Sequence, residues 1–126
     1  MSLAYVDTSV LVAVAFGERG ATALSRRLAT FRMRLSANLL EAEFYAALQR
    51  EGVSAPADFL GSISWVLPDR PLSHEIEQVL AAGYLRGADL WHLACALYVT
   101  GDSREMIFLT ADRRQADVAR KLGFDG

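Results

Sequence analysis

Two short apolar runs constrain this chain most. "AYV" at 4–6 stops on Asp7, "MIFLT" at 106–110 is followed two residues on by Asp112, and each passes at once into helical periodicity. A run that short with no polar alternation is apolar on both faces, which suits the interior of a parallel sheet covered by helices on each side. Parallel neighbours cannot be joined by a tight hairpin, so helical crossovers must lie between them.

The rest of the chain supplies those crossovers. After a strand at Leu3 to Val6, the spacing predicts a helix from Ser9 to Phe16 that stops near Gly17, then a second from Gly20 to about Phe31 with Arg26 and Arg27 outward. A strand at Arg34 to Ser36 feeds a helix from Asn38 to Glu51, closed by Gly52. Ser54 reads as the cap of another helix with Pro56 in its first turn, running to about Trp65. "VLPDRPLS" is extended and broken by two prolines, Ser73 opens a helix to about Leu85, and Asp89 opens an apolar helix to Val99. The strand in "MIFLTAD" precedes an amphipathic helix, "DRRQADVARKLGF", that ends at Gly123. The expected fold class is α/β, one domain over 1–126, with a parallel sheet flanked by helices and its binding edge at the strands' carboxyl ends.

Composition excludes several functional classes. With 126 residues, 52% of them hydrophobic, the chain can bury a core of its own. Mean hydropathy is +0.19, yet charges interrupt every apolar run before the roughly 18 residues a membrane span needs. No basic-then-apolar secretory pattern opens the sequence. Cys95 is the single cysteine and sits at a buried helical spacing, so no intrachain disulfide or thiolate cluster is available, and a reducing cytoplasm is the expected setting. A net charge of -2 offers no global attraction to nucleic acid. A polyanion would have to be held by local arginines or through a cation.

Four acids fall at comparable places: Asp7 and Asp112 after strands, Glu43 inside the helix after the second strand, and Asp89 at a helix start after a glycine turn. Taken singly, each has an ordinary explanation. Asp7, Asp89 and Asp112 suit helix N-termini, where a carboxylate gains about 0.3 to 1 kcal/mol from the dipole. Glu43 suits a solvated helix edge, and Glu41 flanks the same apolar face, so periodicity alone does not choose between them. Taken together, acids crowded at one sheet edge could not all stay ionised without a counter-cation. Oxygen-only donors point to Mg²⁺ or Mn²⁺, which take one or two carboxylates directly and leave other acids to hold their waters.

In this order the motifs resemble the PIN-domain ribonucleases, and within them the toxins of VapC type. "YVDTSVLVA" is similar to the family's strand ending in Asp, "LLEAEFYAAL" to its helix acid followed by a small residue and Leu, "RGADLWHLACAL" to its Asp at the head of an Ala-rich helix, and "FLTADRRQADVARKLGF" to its last strand, Thr and Asp. The resemblance spans the whole chain and implies a PIN-like three-layer α/β/α fold with a short central parallel sheet.

Carried over residue by residue, it places the acidic, metal-holding and catalytic centre on Asp7, Glu43, Asp89 and Asp112, preferring Glu43 to Glu41 because Ala47 and Leu48 follow it. Thr8 or Ser9, and Thr110, fall on the family's hydroxyls, which either orient a water or cap helices. Trp91 is larger than the residue expected before His92. The implied activity is Mg²⁺-dependent hydrolysis of RNA, with Mn²⁺ a substitute, a water attacking phosphorus in line to leave a 5′-phosphate and a 3′-hydroxyl. The implied partners are RNA, a small cognate antitoxin and a second copy in a homodimer. Arg86, Arg113 and Arg114 are candidates for phosphate contacts, though a simple solvated face is the better explanation of them. His92 reads as packed on the apolar face rather than as an acid or ligand, and Trp65, Tyr84 and Tyr98 as core or dimer-interface residues.

Other classes fit less well. A phosphoacceptor receiver domain needs adjacent acids after the first strand and a lysine after a late one, whereas Asp7 stands alone and Lys121, the one lysine, lies near the end of the last helix. A phosphatase of the haloacid dehalogenase type needs an acid where Ser9 stands. A catalytically silent PIN-like binding module keeps the fold, but it has no need of all four acids.

Overall fold

A computed structural model describes residues 2–126. Four strands, β1 (Leu3–Val6), β2 (Met33–Ala37), β3 (Ile63–Val66) and β4 (Met106–Leu109), form one all-parallel sheet in the order β3-β2-β1-β4. Six helices connect or follow them: α1 (Thr8–Ala15), α2 (Ala21–Ala29), α3 (Leu39–Glu51), α4 (Ser73–Ala82), α5 (Gly87–Val99) and α6 (Arg113–Lys121).

Strand alternation divides the core into two layers. Ala4 and Val6 point to one face, where they join Val10, Leu11, Leu28, Leu40, Phe44 and Leu48 of α1, α2 and α3. Tyr5 points to the other, among Val79, Leu93, Ala94, Cys95, Phe108, Val118 and Phe124, where α4, α5 and α6 pack. The chain therefore moves outward from β1 to β3 with helices on one face and returns to β4 with helices on the other. Right-handed crossovers require that change of face when the direction reverses. The reversal leaves a crevice at the carboxyl ends of β1 and β4, the topological switch point where ligands of open α/β sheets bind.

One predicted element is wrong. No helix runs from Ser54 to Trp65; residues 57–62 form turns and Ile63–Val66 is the edge strand β3. Successive three-residue bonds, Phe59 N to Pro56 O, Gly61 N to Asp58 O and Ile63 N to Leu60 O, show why. Proline and glycine bracket too few residues to repay helix nucleation, while Ile63, Trp65 and Val66 suit a pleated surface and pair with β2. Two smaller differences matter less: α4 ends at Ala82 rather than Leu85, and α5 begins at Gly87, which puts Asp89 in its first turn instead of at its cap. Trp65 and Tyr98 pack partly buried against the two cores, but Tyr84 is 68% exposed and belongs to neither. Among the described residues no helix is long and apolar enough to cross a membrane.

The loop before α4 is held by charge. Arg70 donates through Nη1 and Nη2 to the two carboxylate oxygens of Glu75, at 3.1 and 2.6 Å, and its guanidinium lies 5.1 Å from the centre of the Tyr98 ring. These bonds pull the Glu75 carboxyl down from its usual 4.5 to about 2. Because the folded value is the lower one, the stability gained is fully present above pH 4.5 and is lost as pH falls toward about 2. Glu75→Gln is therefore expected to flatten the acid limb of the stability profile over that interval, as urea melts at successive pH values will read. Cys95 gives a second check: burial pushes its thiol up to about 12, so a disulfide reagent at neutral pH should leave the native chain unlabelled and label it once urea has unfolded it.

Candidate active site

β1 is buried on both faces and ends by delivering Asp7 to the crevice, where its backbone N–H donates to the Leu109 carbonyl of β4 at 2.9 Å. Asp7 is only 3% exposed. Its Oδ2 accepts from the Ser9 backbone N–H at 3.1 Å, which caps α1, and from the Ser9 hydroxyl at 2.6 Å. Its Oδ1 accepts from Gln115 Nε2 at 3.3 Å. Capping and membership of an acidic site are thus combined in one side chain. Ser9 Oγ also accepts the Ala111 N–H at 2.9 Å, tying the loop after β1 to the loop after β4.

Glu43 enters from α3, one residue before the fully buried Phe44 that anchors the helix. Its Oε1 accepts from the Thr8 hydroxyl at 2.6 Å and lies 2.8 Å from His92 Nε2. Burial pushes the Glu43 carboxyl up, but the bonds from His92 and Thr8 outweigh it and leave the group below its usual value. Glu41 is exposed in the first turn of α3 and takes no part. Thr8 consequently serves Glu43 rather than acting as a cap.

Asp89 and Asp112 complete the set. Asp112 caps α6 by accepting the Gln115 N–H at Oδ1, 2.9 Å, and no side-chain hydrogen bond from the described residues reaches the Asp89 carboxylate. Burial, then the charges of Asp7 and Asp112, hold Asp89 above its usual value, with Glu43 adding to the rise and His92 opposing it. Asp89 is therefore within electrostatic reach of the other three acids. Among the described residues no group of three or more Asp, Glu, His or Cys side chains is placed to hold a metal ion as the side chains stand. An oxygen-rich, mutually repelling donor set of this kind fits Mg²⁺, which keeps several waters and needs only one or two direct carboxylates.

Two participants, Gln115 and Tyr5, escaped the sequence reading, and a third, His92, was read there as packing. Gln115 is completely buried: its Nε2 bridges Asp7 Oδ1 and the Asp89 carbonyl (3.2 Å), and its Oε1 accepts from Thr110 Oγ1 at 2.7 Å. The spacing of Asp112 and Gln115 is that of a capping box, which could have flagged the pair. Here the glutamine side chain turns inward and Thr110 Oγ1 takes the Asp112 N–H instead, at 3.0 Å. His92 is fully buried but is no mere core residue, since it contacts Glu43, Thr8 (3.2 Å) and Tyr5. Tyr5, 87 residues from His92, carried no signal of its own. Arg86, Arg113 and Arg114 are exposed, and no ion pair among the described residues engages them. A surface groove lined by Leu11, Val14, Leu28, Arg34, Phe59 and Ile63 lies elsewhere and includes none of the acids.

A family model described as PIN domain matches residues 4–121, almost the whole chain and every acid of the crevice. No curated protein and no solved structure matches the chain.

Proposed function

The chain belongs to the PIN domain family, and from that membership and its acidic crevice we propose that it is a divalent-metal-dependent endoribonuclease, the toxin of a VapC-like toxin–antitoxin pair. PIN domains are in general nucleases. The observation that carries the reading is the convergence of Asp7, Glu43, Asp89 and Asp112 at the switch point, with Asp89 held above its usual value by its neighbours' charges. A site built so is disfavoured without a cation.

In this proposal Asp7, Asp89, Glu43 and Asp112 would hold the cation, directly or through water. When bound, Mg²⁺ or Mn²⁺ supplies the positive charge that draws a phosphodiester in and lowers the cost of generating an attacking hydroxide. The protein's share is positioning. Ser9 and Gln115 fix Asp7, Thr8 and His92 fix Glu43, and Thr110 locks the turn that carries Asp112. The exposed guanidinium groups of Arg86, Arg113 and Arg114 are suited to bidentate contacts with the RNA backbone. Hydrolysis forms the new oxygen–phosphorus bond, breaks the bond to the 3′ oxygen and leaves a 5′-phosphate.

Exposed apolar side chains, Leu67 at 65% and Tyr84 at 68%, support contacts with a second copy or an antitoxin in a cytoplasmic setting. The test is cleavage of a mixed structured-RNA pool by the purified chain. Fragments ending in 5′-phosphate are expected with Mg²⁺ or Mn²⁺ and none with EDTA. Cutting that persists in EDTA contradicts the metal requirement. A folded chain that binds the metal but cuts no RNA contradicts the nuclease reading and favours a silent binding module.

A further inference from the structure

We propose that Gln115 makes the acidic crevice selective for a small octahedral cation such as Mg²⁺ over Ca²⁺, by locking Asp7, Asp89 and Asp112 to one another. The selectivity rests on the metal-dependent reading above, whereas the lock itself does not.

The three acids come from three separate elements, the end of β1, the first turn of α5 and the cap of α6. Gln115 reaches all three residues. Its backbone N–H donates to Asp112 Oδ1 at 2.9 Å, and its side-chain Nε2 donates to Asp7 Oδ1 at 3.3 Å and to the Asp89 carbonyl at 3.2 Å. Its Oε1 stands 2.7 Å from Thr110 Oγ1, which in turn accepts the Asp112 N–H at 3.0 Å. Glu43 lies outside this set and is held by Thr8 and His92 instead.

The partners fix which way the amide faces. A backbone carbonyl can only accept, so the end toward Asp89 is the NH₂ group whatever the protonation of the acids around it. The other end is then the carbonyl oxygen, and the Thr110 hydroxyl donates to it. Gln115 is fully buried, so no water waits to replace these bonds, and swinging the side chain away would leave polar groups on both sides unsatisfied.

A lock of this kind separates the two common oxygen-seeking divalent cations. Mg²⁺ demands near-ideal octahedral geometry at about 2.0 to 2.1 Å, whereas Ca²⁺ takes about six to eight oxygens at about 2.3 to 2.6 Å in adaptable arrangements. Three elements free to shift could gather around the larger ion. Three elements tied through one buried amide cannot, and they keep their oxygens in place for the smaller one. Gln115 is thus a positioning residue that acts through the acids.

The experiment has a metal-free arm and a binding arm. In EDTA, ¹H–¹⁵N NMR of the wild type should show the two Nε2 hydrogens of Gln115 protected from exchange with water. Exchange as fast as that of exposed side-chain amides overturns the lock. In the second arm, Mn²⁺ binding is followed by electron paramagnetic resonance and displaced with Mg²⁺ or Ca²⁺. The wild type should prefer Mg²⁺, and a preference for Ca²⁺ overturns the selectivity; neither of these readings needs a variant to fold. Gln115→Met, similar in length but without the amide, and shown folded by thermal melts, should weaken Mg²⁺ binding about 10-fold or more and Ca²⁺ binding far less. Equal weakening of both ions, the result a merely structural side chain would give, overturns the proposal. A folded wild type with a protected amide and no saturable Mn²⁺ binding counts against the metal-dependent reading, and the selectivity falls with it while the lock stands.

Discussion

Asp7→Asn should lower metal-dependent RNA cleavage by at least about 100-fold, equivalent to roughly 2.7 kcal/mol of barrier, without destabilising the fold. Asparagine is nearly the same size and is a competent helix cap, so the bond from the Ser9 N–H to the carbonyl oxygen at position 7 can survive. What the substitution removes is charge, together with the Oδ1 acceptor to which Gln115 Nε2 donates at 3.3 Å. In the absence of metal that charge is a cost, because it helps hold Asp89 above its usual value of 3.8. The sign follows directly. An acid whose folded value is raised destabilises the folded state once ionised, so the penalty is absent below pH 3.8 and present at neutral pH. In EDTA at pH 7 the relief of Asp89 should therefore offset the lost Gln115 bond and keep the melting temperature close to that of the wild type, with the offset vanishing in acid. A variant that keeps its activity contradicts the assignment of Asp7. One that loses activity only because it unfolds contradicts the separation of cap from site.

Phe44→Ala carries the largest stability effect expected for a single change. Phe44 is fully buried, stacks on Phe59 with centroids 5.2 Å apart at 8°, and meets Tyr45 edge-on. Truncating such a ring leaves a cavity and costs about 3 to 5 kcal/mol, a large share of the roughly 5 to 15 kcal/mol that holds a domain together. Equilibrium urea unfolding should show that loss, and calorimetry a drop in Tm of about 10 to 20 °C. Because Glu43 precedes Phe44 on α3, the surviving folded fraction should also bind metal less tightly. A loss below about 1 kcal/mol would mean that the α3 layer repacks freely.

Much of this was legible in the chain itself, for identifiable reasons. β1 and β4 announce themselves because a parallel strand covered on both faces must be apolar throughout, and each is followed within three residues by an acid. That local pattern placed Asp7 and Asp112 at one edge before any pairing was known. β3 was not legible: its identity depends on the edge of β2 being open to it, and Pro56 and Gly61 mimic the ends of a short helix. Periodicity did not choose Glu43 over Glu41; the resemblance did, through Ala47 and Leu48, and the contacts that Thr8 and His92 make with Glu43 come from distant elements. Gln115 and Tyr5 lay hidden for a different reason. Their chemistry is to satisfy buried polar neighbours, and which neighbours those are is decided by the stacking of α5 and α6 on the sheet.

The central claim is that the four acids exist to hold a divalent cation, and a Mn²⁺ titration of the purified chain followed by electron paramagnetic resonance tests it most directly. Saturable binding is predicted for the wild type, displaced by excess Mg²⁺ and weakened about 10-fold or more in Asp7→Asn and in Asp89→Asn. Absence of saturable binding by a folded chain, or binding that neither substitution alters, would contradict it.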